Sequence, residues 1–373
     1  MYFSLDHYFK LIGHVWGLKT WPKRPLLLLR LILWTPIGYL LTALFFLLDY
    51  AFFPKLWSID VKRPVFVIGH ARSGTTLTHR LLAADEDRFS YYLLWETLFP
   101  SLTQRKIMSW IGWLDARCGS PILKRLQALD RKLFEPYAHI HEISFWFSEE
   151  DQFAMRGAFL SQQWFVEIPL MHKFNIAELD QKPERTRRRW MRHYKALVKR
   201  QLVHRGGDKI HLSKNPVMSG WVESIIETFP DARFVVAMRN PKQCIPSILK
   251  LLETSYLDRG WKKADYEEAL RALMRQSFHI FHHPKRVLSE RTDTHHFYVD
   301  YRELTSQPRI TIQRLYAALD LDMSETYDAY LLTREKKERR YKSEFEYDLE
   351  DYDGVSEEEI ELELADFYAE YKW

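Results

Sequence analysis

Cysteine is almost missing from this chain: two residues in 373, Cys118 and Cys244. They stand far apart and in no metal-ligand spacing, which excludes a disulfide-built scaffold and a cysteine zinc site and leaves the compartment open. An excess of charge is missing too. The 54 basic residues face 50 acidic ones, a formal +4, too little for a bulk nucleic-acid-binding surface. No internal repeat is visible. What remains is 46% hydrophobic and 28% charged, the balance of a globular protein of one large domain or two ordinary ones. Aromatic residues are plentiful, with 13 Trp, 20 Tyr and 23 Phe.

Charge is also absent from the 18 residues Leu31 to Leu48. At about 1.5 Å rise per residue, that run suffices for roughly 30 Å of hydrocarbon. It begins too deep in the chain for a secretory signal peptide and has no small-residue cleavage site. Lys10, Lys19, Lys23, Arg24 and Arg30 precede it, which would keep the N-terminus cytoplasmic. Pro36 and Gly38 lie inside it and are better tolerated in a membrane helix than in a soluble one. Residues 1–61 are therefore read as an apolar, membrane-associating leader, single-pass or peripheral, and 62–373 as the body. A helix hairpin packed on the body or lying on a membrane surface is the alternative.

The body starts with Val65-Phe66-Val67-Ile68, an apolar run that reads as a strand buried on both faces. Gly69-His70-Ala71-Arg72-Ser73-Gly74-Thr75-Thr76 follows, and Leu77, Leu81 and Leu82 then recur at helical spacing. A glycine-bearing loop between strand and helix turns backbone N–H groups and a helix N-terminus toward one spot, which suits a phosphate. The lysine of the nucleotide-triphosphate loop is missing: Thr75 stands where it would be, and the cation sits inside the loop as Arg72. Such a loop suits an anion nearer its base, flanked by the hydroxyls of Ser73, Thr75 and Thr76.

Further strands are expected at Lys209–Ser213, Arg233–Met238 and His296–Asp300, with helices at Trp221–Phe229, Cys244–Leu252 and Ile310–Leu319 between and after them. Residues 104–134 read helical, and 184–202, with six arginines and two lysines, as an amphipathic helix with a solvated basic face. The acidic tail Glu344–Glu370 is expected to dock. Alternating strands and helices argue an α/β fold, a mostly parallel sheet flanked by helices. Ligands bind such sheets beyond the strands' carboxyl ends. The 69–76 loop, the Lys214 turn and the Arg239 turn collect there. Arg239 directly follows a strand, and Ser247 comes eight residues later; together they could hold a second phosphate.

The loop Arg72-Ser73-Gly74-Thr75-Thr76 with the Arg239…Ser247 pair resembles the sulfotransferase family, closer to its tyrosylprotein or bacterial type than to its cytosolic type. The likeness continues in Glu149-Glu150-Asp151, in Tyr301-Arg302-Glu303-Leu304 ahead of Pro308, and in Tyr341-Lys342-Ser343 before Asp351-Tyr352-Asp353-Gly354. It implies a P-loop-type fold over residues 62–373 that binds 3′-phosphoadenylyl sulfate (PAPS) as co-substrate without a metal. Arg72, Ser73, Gly74, Thr75 and Thr76 would then hold the 5′-phosphosulfate, Arg239 and Ser247 the 3′-phosphate, with Lys342 and Ser343 closing over it. Lys214 would share the neutralisation of developing charge with Arg72.

An acceptor hydroxyl needs a base. Cytosolic-type members carry a histidine two residues after the strand-end lysine, where this chain has Pro216. Tyrosylprotein-type members use a glutamate in a Glu-Thr pair beyond the loop, which Glu96-Thr97 matches. Glu96 lies in an apolar run, where desolvation would raise its pKa toward a useful range. His141 is the other candidate base; His70 is expected to fix loop shape and His211 to be core. The acceptor is expected to be a small-molecule, lipid or glycan hydroxyl, with no nucleic-acid partner. The alternatives are a nucleotide kinase or NTPase, with Asp300 holding magnesium, and a non-catalytic membrane-bound ligand-binding protein of the same fold.

Overall fold

The structure is a computed structural model, and it describes every residue except 19, 20, 22, 136–142 and 339–355. The chain divides into two compact units. One comprises residues 62–89, 162–191 and 210–373; the other comprises 1–61, 90–161 and 192–209.

The first unit carries the sheet apart from Ser90 of its shortest strand. Its strands are β1 (Val65–Gly69), β2 (Phe89–Ser90), β3 (Ile210–Lys214), β4 (Arg233–Met238) and β5 (His296–Asp300), in the order β2-β3-β1-β4-β5. β1 pairs parallel with β3 and with β4, and β4 pairs parallel with β5. The expected α/β class and four of the strands are therefore present. β1 and β4 are buried at every position, as strands covered on both faces must be. The register sets Gly69 beside Ala237 and Met238 beside Asp300, so the loops after β1, β4 and β5 leave from one edge. The helix Thr75–Ala83 follows β1 and the helix Pro241–Asp258 follows β4. Asn240 caps the latter, its side chain accepting from the Lys242 N–H at 3.0 Å.

A 28-residue helix, Lys263–Glu290, also covers this unit, with Leu273, Met274, Ser277 and Phe281 buried. Sequence reading did not foresee it. The part of the tail that is described forms two short helices, Glu357–Glu363 and Ala365–Tyr371, with Ile360, Leu364 and Phe367 buried. Lys242 pairs with Glu357 at 2.8 Å and with Glu361.

In the second unit the chain is helical from Arg24 to Phe52. One turn, Arg30–Trp34, widens to π spacing ahead of Pro36, which has no N–H to give its turn. The helix is long and apolar enough to cross a membrane by length and composition, and little of it is buried. Asp49 ties its end down. Its carboxylate accepts from the Ser101 hydroxyl at 2.7 Å, the Leu102 N–H at 3.2 Å, the Thr103 N–H and hydroxyl at 2.8 Å each, and Arg200 Nε at 2.7 Å. It thereby serves the unpaired N–H groups that open the helix Leu102–Arg117. Arg200 was expected on the solvated basic face of the helix Glu184–His204. It is instead buried, stacked 3.8 Å over the Phe46 ring, because Asp49 offers it a buried counter-charge.

Candidate active site

The site is built on the edge where β1 and β4 end. At Gly69 φ is +115°, and a Cβ would stand 2.3 Å from the Ala237 carbonyl oxygen. Only glycine serves where β1 turns so close to β4. Gly74 has φ +93°, and a Cβ there would meet the Tyr301 ring at 2.6 Å. Between them Arg72 takes φ +71°, a left-handed conformation that costs about 1–3 kcal/mol in a residue with a side chain.

Two contacts clasp that strained residue. Arg72 Nε donates to Ser247 Oγ at 3.0 Å, and Arg239 Nη1 donates to the Arg72 carbonyl oxygen at 3.1 Å. The Arg239 guanidinium also lies 4.5 Å from the centre of the Tyr301 ring and holds Gln243 Oε1 at 3.2 Å. The two anion-binding motifs read from the sequence, far apart in the chain, are thus joined side chain to side chain. Two guanidinium groups, a hydroxyl and the first turn of the helix Thr75–Ala83 make a site suited to anionic oxygen. Tyr301, wedged against Gly74 and Arg239, was not singled out in the sequence for its ring.

Ser73 serves the loop. Its N–H and hydroxyl reach the His70 carbonyl at 3.1 and 2.6 Å, and the hydroxyl lies 3.0 Å from the Ala237 carbonyl. Thr75 is buried and Thr76 half-buried at the helix start. His70 fixes loop shape. Its Nδ1 donates to the Ala71 carbonyl at 2.5 Å, its Nε2 meets Ser277 Oγ at 2.8 Å, and its ring stacks on Phe281. Burial pushes its pKa down to about 4, against the opposing Ala71 bond. Lys214 is buried at the end of β3, the next strand along the edge, and His211 is buried in that strand. Asp300, the magnesium ligand of the kinase alternative, caps the helix Tyr301–Ser306 and pairs with Arg302 at 2.6 Å.

Glu96 belongs to the other unit and is almost fully buried. Its expected upward pKa shift is not found. Burial does favour the neutral acid, but His204 at 3.2 Å, the charges of Arg105 and Arg205, and the Leu93 N–H at 2.8 Å outweigh it and hold the pKa at about 2. Gln201 adds a bond to the same carboxylate at 3.2 Å. The cationic partners that set this pKa do not belong to the apolar run around Glu96 in sequence. Asp151, of the Glu149-Glu150-Asp151 run, accepts from the Tyr194 hydroxyl. His141, Lys342 and Ser343 lie outside the described residues.

A family model described as "Sulfotransferase family" matches residues 64–325. A curated relative, omega-hydroxy-beta-dihydromenaquinone-9 sulfotransferase Stf3 of Mycobacterium bovis, is 26% identical over 270 residues, 71% of this chain and 64% of its own. Its namesake in Mycobacterium tuberculosis matches equally. The chain thus spans less than two thirds of the length of these relatives. Among solved structures, sulfotransferase STF1 of Mycobacterium tuberculosis has a TM-score of 0.67 at 18% identity, covering 97% of this chain and 98% of that one. STF9 of Mycobacterium avium has a TM-score of 0.67 at 20% identity, covering 86% and 80%. These two show a shared fold.

Proposed function

The chain belongs to the sulfotransferase family, and from that premise we propose that it moves a sulfuryl group from PAPS to a hydroxyl acceptor. The observation that carries this reading is the Arg72–Ser247 contact with Arg239 beside it, which lets one bis-phosphorylated nucleotide engage both motifs. Arg72 and the N–H groups at Thr75 and Thr76 take the 5′-phosphate, and Arg239 and Ser247 take the 3′-phosphate. Ser73 and Gly74 shape the loop; Lys342 and Ser343 are assigned to the 3′-phosphate by the resemblance alone.

In the reaction the bond from sulfur to the bridging phosphate oxygen breaks and a bond from sulfur to the acceptor oxygen forms. Arg72 and Lys214 balance the charge that gathers on the leaving phosphate, as positioned cations do in phosphoryl transfer. No step of this assignment calls for a metal. The acceptor's proton goes to a base, for which we propose Glu96, with His141 the second candidate. A carboxylate of low pKa can serve, because an acceptor oxygen bonded to a sulfuryl group is itself strongly acidic.

The Stf3 relatives are named for a hydroxylated menaquinone, which favours a lipid hydroxyl as the acceptor here. The apolar helix Arg24–Phe52 is consistent with membrane association. Transfer of label from PAPS to hydroxylated lipids in vesicles tests the reading. Labelled sulfate esters support it; nucleotide affinity for ATP with none for 3′-phosphoadenosine 5′-phosphate overturns it.

A further inference from the structure

The unit that bears the apolar helix Arg24–Phe52 carries a second surface of similar character. The helix Pro121–Phe134 buries none of its residues. Ile122, Leu126, Leu129 and Leu133 recur at three- and four-residue spacing and form one exposed face. The helix before it, Leu102–Arg117, exposes 59% of Trp110 and 49% of Trp113. A patch of this kind is not left bare on a water-soluble surface without a partner. Asp115 holds the two helices as a hairpin, accepting from the Ile122 and Leu123 N–H groups at 2.8 and 2.9 Å. Asp49 in turn fastens the start of this hairpin to the long apolar helix.

Charge selects the partner. Lys106, Lys124, Arg125, Arg131 and Lys132 are exposed, and none has a carboxylate partner among the described residues. The acids of the same stretch are engaged, Asp115 as above and Asp130 with the Phe145 N–H at 2.7 Å and Ser144. On the helix Pro121–Phe134, Arg125 and Lys132 flank the apolar face, and Lys124 and Arg131 carry positive charge on the face opposite. A second copy placed symmetrically on this face would set like charges against like. A leaflet of anionic lipid supplies acyl chains for the apolar face, a headgroup layer for the tryptophans, and phosphate charge for the basic rim. We propose that the hairpin Leu102–Phe134 lies in the headgroup–acyl boundary of an anionic membrane, a contact made in addition to any made by Arg24–Phe52.

A label on the hairpin reads this directly, whatever the long helix does. Leu126→Cys in a Cys118→Ser background, with Cys244 buried, carries an environment-sensitive nitrobenzoxadiazole maleimide. The labelled full chain is reconstituted into phosphatidylcholine vesicles with or without phosphatidylglycerol, and quenching by neutral acrylamide is measured. In anionic vesicles the label gains emission roughly two-fold and loses most of its quenching, because it leaves water. Lys124→Glu with Arg125→Glu and Arg131→Glu restores the quenching, while the chain keeps its unfolding temperature. Equal quenching in anionic and neutral vesicles overturns the proposal. So does protection that follows protein concentration without lipid, which would mark a second copy as the occupant. No sulfuryl transfer enters the readout, so failure here leaves the donor assignment standing.

Discussion

Arg72 Nε and Ser247 Oγ lie 3.0 Å apart, joining residues 175 positions distant in the chain. The contact binds the loop after β1 to the helix after β4 at the edge where both strands end. A residue held in left-handed backbone is thereby fixed from two sides, since Arg239 grips its carbonyl. Rigid positioning of this kind is what a transfer reaction without covalent help from the protein requires.

Arg72→Ala and Arg239→Ala are expected to weaken 3′-phosphoadenosine 5′-phosphate binding by about 10- to 100-fold each, the loss of charge-assisted hydrogen bonds worth about 1.5–3 kcal/mol. Ser247→Ala should cost less, since a neutral hydroxyl is lost. Isothermal titration measures all three. Unchanged affinity in both arginine variants would sink the donor assignment.

Gly69→Ala should lower the unfolding temperature by several degrees, because φ is +115° and the new methyl meets backbone that cannot move aside. Gly119→Ala is the control. It shares a positive φ, +80°, but has nothing within 4 Å, so only the conformational cost of about 1 kcal/mol applies. Thermal unfolding that ranks the two equally contradicts the steric argument.

Glu96→Gln is expected to leave nucleotide affinity intact and to reduce turnover at least tenfold. It also tests the ion-pair network. With the folded pKa near 2, the carboxylate's stabilising effect is full above the unfolded value of about 4.3 and fades as pH falls toward 2. The variant should be less stable by on the order of 2–3 kcal/mol at neutral pH, and the gap should close in acid. A stability difference that stays constant from pH 6 to pH 2.5 in urea titrations rules out this account.

His70 pulls stability in the same direction, from a different cause. Held neutral by burial, with a folded pKa of about 4 below the usual value near 6.5, it favours the folded state fully above that usual value. The benefit is lost as pH falls through about 4. His70→Asn should therefore flatten the acid-side fall in stability between about pH 6.5 and 4, whatever it costs at neutral pH. Parallel profiles for the two proteins would exclude His70 as the source.

Much of the fold was legible because its central strands are buried on both faces, so Val65–Ile68 and Arg233–Met238 stand out as unbroken apolar runs. The glycine loop and the Arg239…Ser247 pair were legible because such chemistry needs fixed residue types at fixed spacing. β2 escaped because two residues, Phe89 and Ser90, carry no periodicity. The helix Lys263–Glu290 left a signal in Tyr266, Leu270, Leu273 and Phe281 that went unread, diluted by interleaved charge and by Pro284. The pKa direction of Glu96 and the burial of Arg200 escaped for one shared reason. Their electrostatic partners are distant in sequence, Arg205 by 109 positions and Asp49 by 151, and no local window reports them.

Asp49 bears on any attempt to work with a shortened chain. Beginning the polypeptide at Lys62 would strand the Arg200 guanidinium in the interior with no counter-ion, and would leave the amides of Leu102 and Thr103 without their acceptor. Stranding a buried charge costs about 3–5 kcal/mol, a large share of the margin by which a domain stays folded. Solubility gained by trimming the greasy N-terminal stretch would be offset by damage to the unit it is rooted in.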